Sequence, residues 1–457
     1  MFSFIPLGLF RHLFAAQVIA LFGTGLTSIA LALLAYELAE GDAGLVLGFA
    51  LALKMVAYVI VSPLAGVIAP FMPRRRMLVT LDILRAGAVL CLPFVDSLWQ
   101  VYLLIFLLNT CSALFTPTFQ ATIPDILPDE KDYTQALSLS RLAYDLENLL
   151  SPTLAALLLT VLSFDVLFSL NAIAFVISAL LIVSVTLPAA NQGQNNDSFW
   201  YRLTVGSRIY FRTPALKALM ALNLAISAVG AMQIVNTVVY VRSELGLAET
   251  LVPLAFAAAG VGSISAAIAV PWLLKHYSQR LIMLTGSVLM GGLLLAGTLK
   301  PDYYTLLILW CLIGLSSSLV QTPIGLLLRS HCQEEDRPAL FAAHFSLSHA
   351  CWLICYPLAG WLGAQWTLTT AFGLMALLAI LTTLVAIMLW PRNKANELWH
   401  EHGEQTHQHL HFHDEHHQHS HEGWEGPEPH SHNHQHQAIR HQHKFVIDRH
   451  HRHWPFD

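Results

Sequence analysis

Ionisable and metal-ligating side chains stand inside long apolar runs of this chain. RLAYDLENLLSP (141–152) carries Arg141, Asp145 and Glu147, and HFSLSHACWLICYP (344–357) carries His344, His349, Cys351 and Cys355. A charge in hydrocarbon is costly and is retained where it works as a proton carrier, a cargo ligand or half of an ion pair. Arg141 and Asp145 are four residues apart on one helix face and can neutralise each other, whereas Glu147 points elsewhere. Glu147 is therefore the better candidate for carrying a proton or meeting a cation, with Asp145 the other candidate. His344, Cys351 and Cys355 fall within about 40° of one another on a helix, and His349 faces away by roughly 140°. Imidazole and thiolate on one stripe suit a borderline divalent metal. The plainer reading is that the cysteines fill a core and the histidines bond neighbouring carbonyls. Lys54, in an earlier apolar run, would repel a metal ion, so an ion pair or a gate is its natural role.

A second set of ligands lies near the end of the chain. Nineteen of the 24 histidines fall between His400 and His453, mostly spaced His-x-His. They include His407, His409, His411, His413, His416, His417, His419 and His421, then His430, His432, His434 and His436. Alternate residues point the same way in an extended chain and opposite ways on a helix. Neutral imidazoles bind Ni²⁺, Co²⁺, Zn²⁺ or Cu²⁺, and the tail has no cysteine or methionine to favour Cu(I). Affinity order alone favours copper over nickel, so such a tail does not select its metal. With few apolar residues and no period, it is expected to be disordered.

The elements that must hold these side chains are membrane helices. Of 457 residues, 55% are hydrophobic and 12% charged, against about 25% charged in ordinary soluble domains. Twelve apolar windows read as spans: 12–37, 45–69, 77–96, 99–122, 135–161, 164–187, 216–241, 251–274, 280–299, 303–328, 338–362 and 368–390. The expected fold is thus an all-α membrane protein of twelve transmembrane helices. Its parts are a first six-helix half (1–188), a linker (189–215), a second half (216–391) and a tail (392–457). The linker's SFWYRLTVGSRIYF mixes aromatics and arginines, as a segment on the membrane surface does.

Basic residues gather in alternate loops: Arg74, Arg75 and Arg76, Lys131, the linker arginines, Lys275 and Arg280, Arg329 and Arg337, Arg392 and Lys394. The positive-inside rule then puts both termini and the tail in the cytoplasm, with a bacterial inner membrane as the expected location. The six cysteines are not expected to form disulfides. Pro117 and Pro323 are 206 residues apart, and Pro152 and Pro357 are 205 apart, so the halves are repeats. Two six-span repeats point to a secondary transporter with its site near the midplane.

These features resemble the major facilitator superfamily. GVIAPFMPRRR (66–76) is similar to its loop motif, with Pro70 and Pro73 where the aspartate and glycine are expected. Asp82 and Arg85 are candidates to replace that aspartate in a cytoplasmic gate with Arg74, Arg75 and Arg76. FTPTFQATIPDILPDEKDYTQALSLS (115–140) resembles the branch that exports drugs, siderophores and metals, and SPTLAA (151–156) resembles an antiporter motif. With the histidine-rich tail, the nickel-resistance exporters of that branch are the most similar group. The resemblance implies Gln17, Asn109, Cys111, Gln233 and Asn236 as polar cavity residues.

The resulting expectation is a monomeric proton antiporter that exports nickel or cobalt by alternating access. Lipid, the metal ion as substrate and protons are its partners; no cofactor, nucleic acid or enzyme activity is expected. The alternatives are an exporter of an organic drug or siderophore with a metal-responsive tail, and a membrane-anchored metal buffer or sensor that moves nothing.

Overall fold

In hydrocarbon each backbone polar group must be satisfied internally, which selects helices for apolar runs of this length. The computed structural model describes residues 8–38, 43–69, 71–188, 198–391, 397–402, 405–411, 430–436 and 439–444. Its first half consists of α1 (Gly8–Leu38), α2 (Ala43–Val61), α3 (Pro63–Ile68), α4 (Arg74–Cys91), α5 (Leu98–Ile126), α6 (Glu130–Leu158) and α7 (Phe164–Val183). After the connecting helix α8 (Phe199–Arg212), the second half consists of α9 (Pro214–Val239), α10 (Val252–His276), α11 (Gln279–Ala296), α12 (Tyr303–Gln321), α13 (Ile324–Ser330), α14 (Arg337–Gln365) and α15 (Leu368–Leu389).

Ten of these segments are long and apolar enough to cross a membrane, and Ala52–Ile68 is a shorter apolar one. The remaining long helix is α6, whose charged residues lower its hydropathy. With α2 continuing into α3 and α12 into α13, six rods stand on each side of α8. The membrane-spanning body is all-α, and the protein is a multi-pass membrane protein.

The two halves pack alike. In the first, α1 packs on α6 and α7, α4 on α7, and α2 on α5. In the second, the corresponding contacts are α9 on α14 and α15, α11 on α15, and α10 on α12. The contacts between halves obey the same symmetry: α6 meets α10, and α14 meets α2 and α3. The repeated prolines act differently, however. Pro117 lies within the continuous α5, while Pro323 separates α12 from α13.

Local signals set the helix starts. The Asp129 side chain accepts hydrogen bonds from the backbone N–H groups of Lys131 and Asp132 at the head of α6. Asp302 caps α12 in the same way, and its bonds from Thr305 hold its carboxyl below the usual carboxylate range. Outward-facing apolar residues such as Trp272, Ile308 and Met388 are exposed, as a lipid-facing surface requires. Inside, one core of the first half (Leu78, Phe119, Tyr133) takes in Leu326 and Ala342 from the second half. Another (Val89, Leu167, Phe168) lies wholly within the first half.

The tail, residues 391–457, is a separate unit. Where the sequence leads one to expect no regular structure, its described residues form four short strands. β1 (Glu397–His402) pairs antiparallel with β4 (Ile439–Lys444), and β2 (Gln405–His411) with β3 (His430–His436). The period-two alternation of His-x-His is compatible with a strand, and the register sets His407 opposite His434, His409 opposite His432 and His411 opposite His430. His413, His416, His417, His419 and His421 lie outside the described residues.

Candidate transport site and gate

The charged stretch of α6 forms a polar bridge between the halves. Arg141 pairs with Asp145 at 2.9 Å, as their spacing predicts. Neither is confined to its own helix. Arg141 donates to Ser263 Oγ on α10 (3.0 Å) and to Gln321 Oε1 on α12 (2.9 Å). The Ser263 hydroxyl in turn donates to Asp145 Oδ2 at 2.6 Å. Charge-assisted bonds of this kind are the stronger class, and here they tie helices of opposite halves about 15 Å along α6 from residue 135, half-way across a bilayer. Ser263 and Gln321 do not stand out in the sequence, because single hydroxyl and amide residues in apolar spans carry no periodic signal.

Glu147 stands apart from that bridge. The charge that acts on it is Lys54 of α2. Lys54 is thus the basic group within electrostatic reach of Glu147. Glu147 also packs on α1, where a Cβ at Gly25 would lie 3.1 Å from its Oε1. Aromatic rings follow from Lys54 towards α14. Lys54 Nζ lies 5.6 Å from the Tyr58 ring, Tyr58 packs edge-on to His349 (4.8 Å), and His349 packs on Phe345 (4.2 Å). The His349 Nδ1–H donates to the Phe345 carbonyl, which leaves Nε2 as its other polar atom.

The stripe of His344, Cys351 and Cys355 faces protein. His344 Nδ1 is 3.2 Å from Tyr210 Oη of α8, and that oxygen also accepts from Asn223 Nδ2 of α9. Cys351 and Cys355 are 2% and 0% exposed, free and buried. Among the described residues no group of three or more His, Cys, Asp or Glu side chains is placed to hold a metal ion.

The polar cavity residues divide by partner. Gln17 on α1 accepts from Ser140 of α6 at 3.1 Å and bonds Tyr144, so it lies beside the charged stretch. Gln233 Nε2 is buried with no hydrogen-bond partner among the described residues. Asn109 bonds back to the Ile105 carbonyl of its own helix, and Cys111 is part of the first-half core. Asn236 bonds the Ala359 carbonyl of α14 and acts as a strut within the second half.

The end that carries the basic loops is closed. Asp125, at the end of α5, is gripped by Arg74 from the start of α4 and by Arg337 from the start of α14. The two arginine side chains are 4% and 6% exposed. Nearby, Ser62 Oγ donates to the Ala342 carbonyl and Ser346 Oγ to the Val59 carbonyl. Gly66 lets α3 touch α14, because a Cβ there would meet Ala339 Cα at 2.7 Å. Of the gate candidates read from the sequence, Arg74 belongs to this clasp. Arg75 and Arg76 are exposed, with Arg75 reaching the Val185 carbonyl. Asp82 and Arg85 pair with each other inside the first half, with Ser178 donating to Asp82 and Arg85 stacked between Phe115 and Phe175. At this end the carboxylate that joins the halves is Asp125, an acid at the end of an apolar helix facing basic loops.

Comparison with known proteins agrees with this architecture. The family model described as Major Facilitator Superfamily matches residues 13–235 and 219–425. Macrolide efflux protein A of Streptococcus pyogenes is 22% identical over 374 residues, covering 76% of this chain and 87% of that protein. Macrolide efflux protein A of Enterococcus faecalis is 22% identical over 331 residues, covering 67% of this chain and 96% of the relative. Among solved structures, the human organic anion transporter MFSD10 superposes with a TM-score of 0.73 at 12% identity, covering 83% of this chain and 98% of its own. A bacterial homologue of the iron transporter ferroportin, in an outward-facing state, gives 0.67 at 14% identity, covering 84% and 98%. At such identities the structures speak for the fold. The chain is a membrane transporter, not an enzyme, and it belongs to the Major Facilitator Superfamily.

Proposed function

We propose that this transporter expels its cargo from the cytoplasm by alternating access driven by proton entry. The basic end faces the cytoplasm in this reading, supported by the positive-inside distribution of Arg74–Arg76, Lys131, Arg202, Arg208 and Arg329. The observation that carries the proposal is the set of ionisable groups in the membrane interior. Glu147 beside Lys54 is the proton-carrying site, and the Arg141–Asp145–Ser263–Gln321 bridge links occupancy of the centre to the arrangement of the halves. Export rather than import is supported by the relatives that are named efflux proteins.

For the cargo, an amphiphilic organic molecule of the drug class is the reading that the transmembrane region supports best. Tyr58, Phe345 and His349 offer aromatic faces next to one cation and one anion, and no ready cluster of metal ligands stands among the described residues. Divalent nickel or cobalt is the second reading, and the tail supports it: nineteen histidines, some of them directly opposite one another in the β2–β3 register. In that case the tail collects ions at the inner mouth, and the spans choose and move them.

Energised inside-out vesicles separate the two. Accumulation of a labelled macrolide but not of radioactive nickel supports the organic reading, and the reverse result supports the metal. Accumulation of neither, with the protein present in the membrane, removes both.

A further inference from the structure

The connecting helix α8 has two faces with different partners. Val205, Gly206, Ile209 and Tyr210 are buried, and the helix packs on α3 and α14. The opposite face presents Trp200 and Phe211, 70% and 47% exposed, which project within about 20° of each other at helical spacing. Arg208 is exposed on the same side. The helix contains three arginines and no acid. Arg202 projects to the inner side instead, where its guanidinium lies 4.7 Å from the ring of Phe71 between α3 and α4.

We infer that the outer face of α8 docks on acidic phospholipid at the membrane surface and that this docking steadies α14. Tryptophan and phenylalanine settle at headgroup depth, where their rings leave water without entering hydrocarbon fully. Arginine binds phosphate oxygens through a planar fork, and an acidic leaflet attracts each such residue. The position of the helix favours lipid over a protein partner. It ends two residues before the membrane-spanning α9 begins and rests on α3 and on the first turns of α14, at the end that carries the basic loops. Its inner face is fitted closely to α14: a Cβ at Gly206 would meet the Ala339 carbonyl oxygen at 2.0 Å, and Tyr210 Oη reaches His344. Whatever orders α8 therefore orders the stretch of α14 that closes the basic end. The inference is independent of the cargo.

The test uses the full chain in nanodiscs of phosphatidylcholine alone or mixed with phosphatidylglycerol, followed by hydrogen–deuterium exchange. Acidic discs are expected to slow exchange in residues 199–212 by about fivefold for each arginine engaged, and to slow it in 337–346 as well. Trp200→Ser combined with Arg208→Gln should erase both effects while exchange in α15 stays unchanged. Equal exchange in the two discs overturns the inference, as does protection that survives in the variant. Protection of 199–212 with no change in 337–346 overturns the coupling to α14.

Discussion

Asp125→Asn tests the gate most cleanly, because the substitution preserves shape and removes a charge that Arg74 and Arg337 share. Both guanidinium groups are almost wholly buried, so the variant leaves two like charges facing each other with only the exposed Glu334 carboxylate, 3.8 Å from Arg337, as counter-ion. Removing one partner of a buried pair costs about 3–5 kcal/mol. Asp125 itself is 15% exposed, and asparagine still accepts a hydrogen bond, which reduces the figure to about 2 kcal/mol. The loss applies where the clasp exists, in the arrangement closed at the basic end. The closed-to-open ratio should thus move about thirtyfold towards open. Nitroxides at Lys131 and Glu335, exposed residues flanking the clasp on opposite halves, report this as a longer distance in double electron–electron resonance. Adding Arg74→Gln removes one of the stranded cations and should recover part of the shorter distance. An unchanged distribution in Asp125→Asn, or a double variant more open than the single, would refute the clasp.

Three other outcomes follow from the same geometry. Gly66→Val drives a side chain into the Ala339 backbone, so it should open the basic end by roughly 1–3 kcal/mol in the same distance measurement. Ser263→Ala keeps the Arg141–Asp145 pair but removes its link to α10, and about 1 kcal/mol of inter-half coupling with it. Transport turnover should change while thermal unfolding barely moves. Deleting residues 400–457 should abolish most nickel binding by the purified protein, read by calorimetry, and weaken nickel tolerance without eliminating it; full tolerance at every nickel level would remove the tail from cargo capture.

The fold was legible because its cause is written in composition. Long apolar runs, basic residues in alternate loops and prolines at a fixed offset each reflect the bilayer or the repeat, and the corresponding contacts of α1 with α7 and α9 with α15 follow. The Arg141–Asp145 pair was legible too, since four residues make one helical turn. What joins distant helices was not. Asp125 reads as one acid among several before a loop, and Ser263 as an ordinary small residue, until folding places them beside Arg337 and Asp145. Helical spacing puts His344, Cys351 and Cys355 on one stripe, but spacing cannot say that Tyr210 of α8, itself bonded by Asn223 of α9, meets His344 first. That Lys54 acts on Glu147 was unreadable for the same reason: the two are 93 residues apart on different helices.

The central claim is that proton entry through Glu147 drives export. The most direct measurement is cargo-dependent proton movement in proteoliposomes, with wild type and Glu147→Gln compared at equal incorporation, using whichever cargo the vesicle assay identifies. The account predicts that wild type releases protons into the compartment from which cargo is withdrawn. Glu147→Gln should still exchange labelled cargo for unlabelled cargo across the membrane but should neither move protons nor accumulate cargo against a gradient. A Glu147→Gln protein that kept proton-driven accumulation at the wild-type rate would contradict the account.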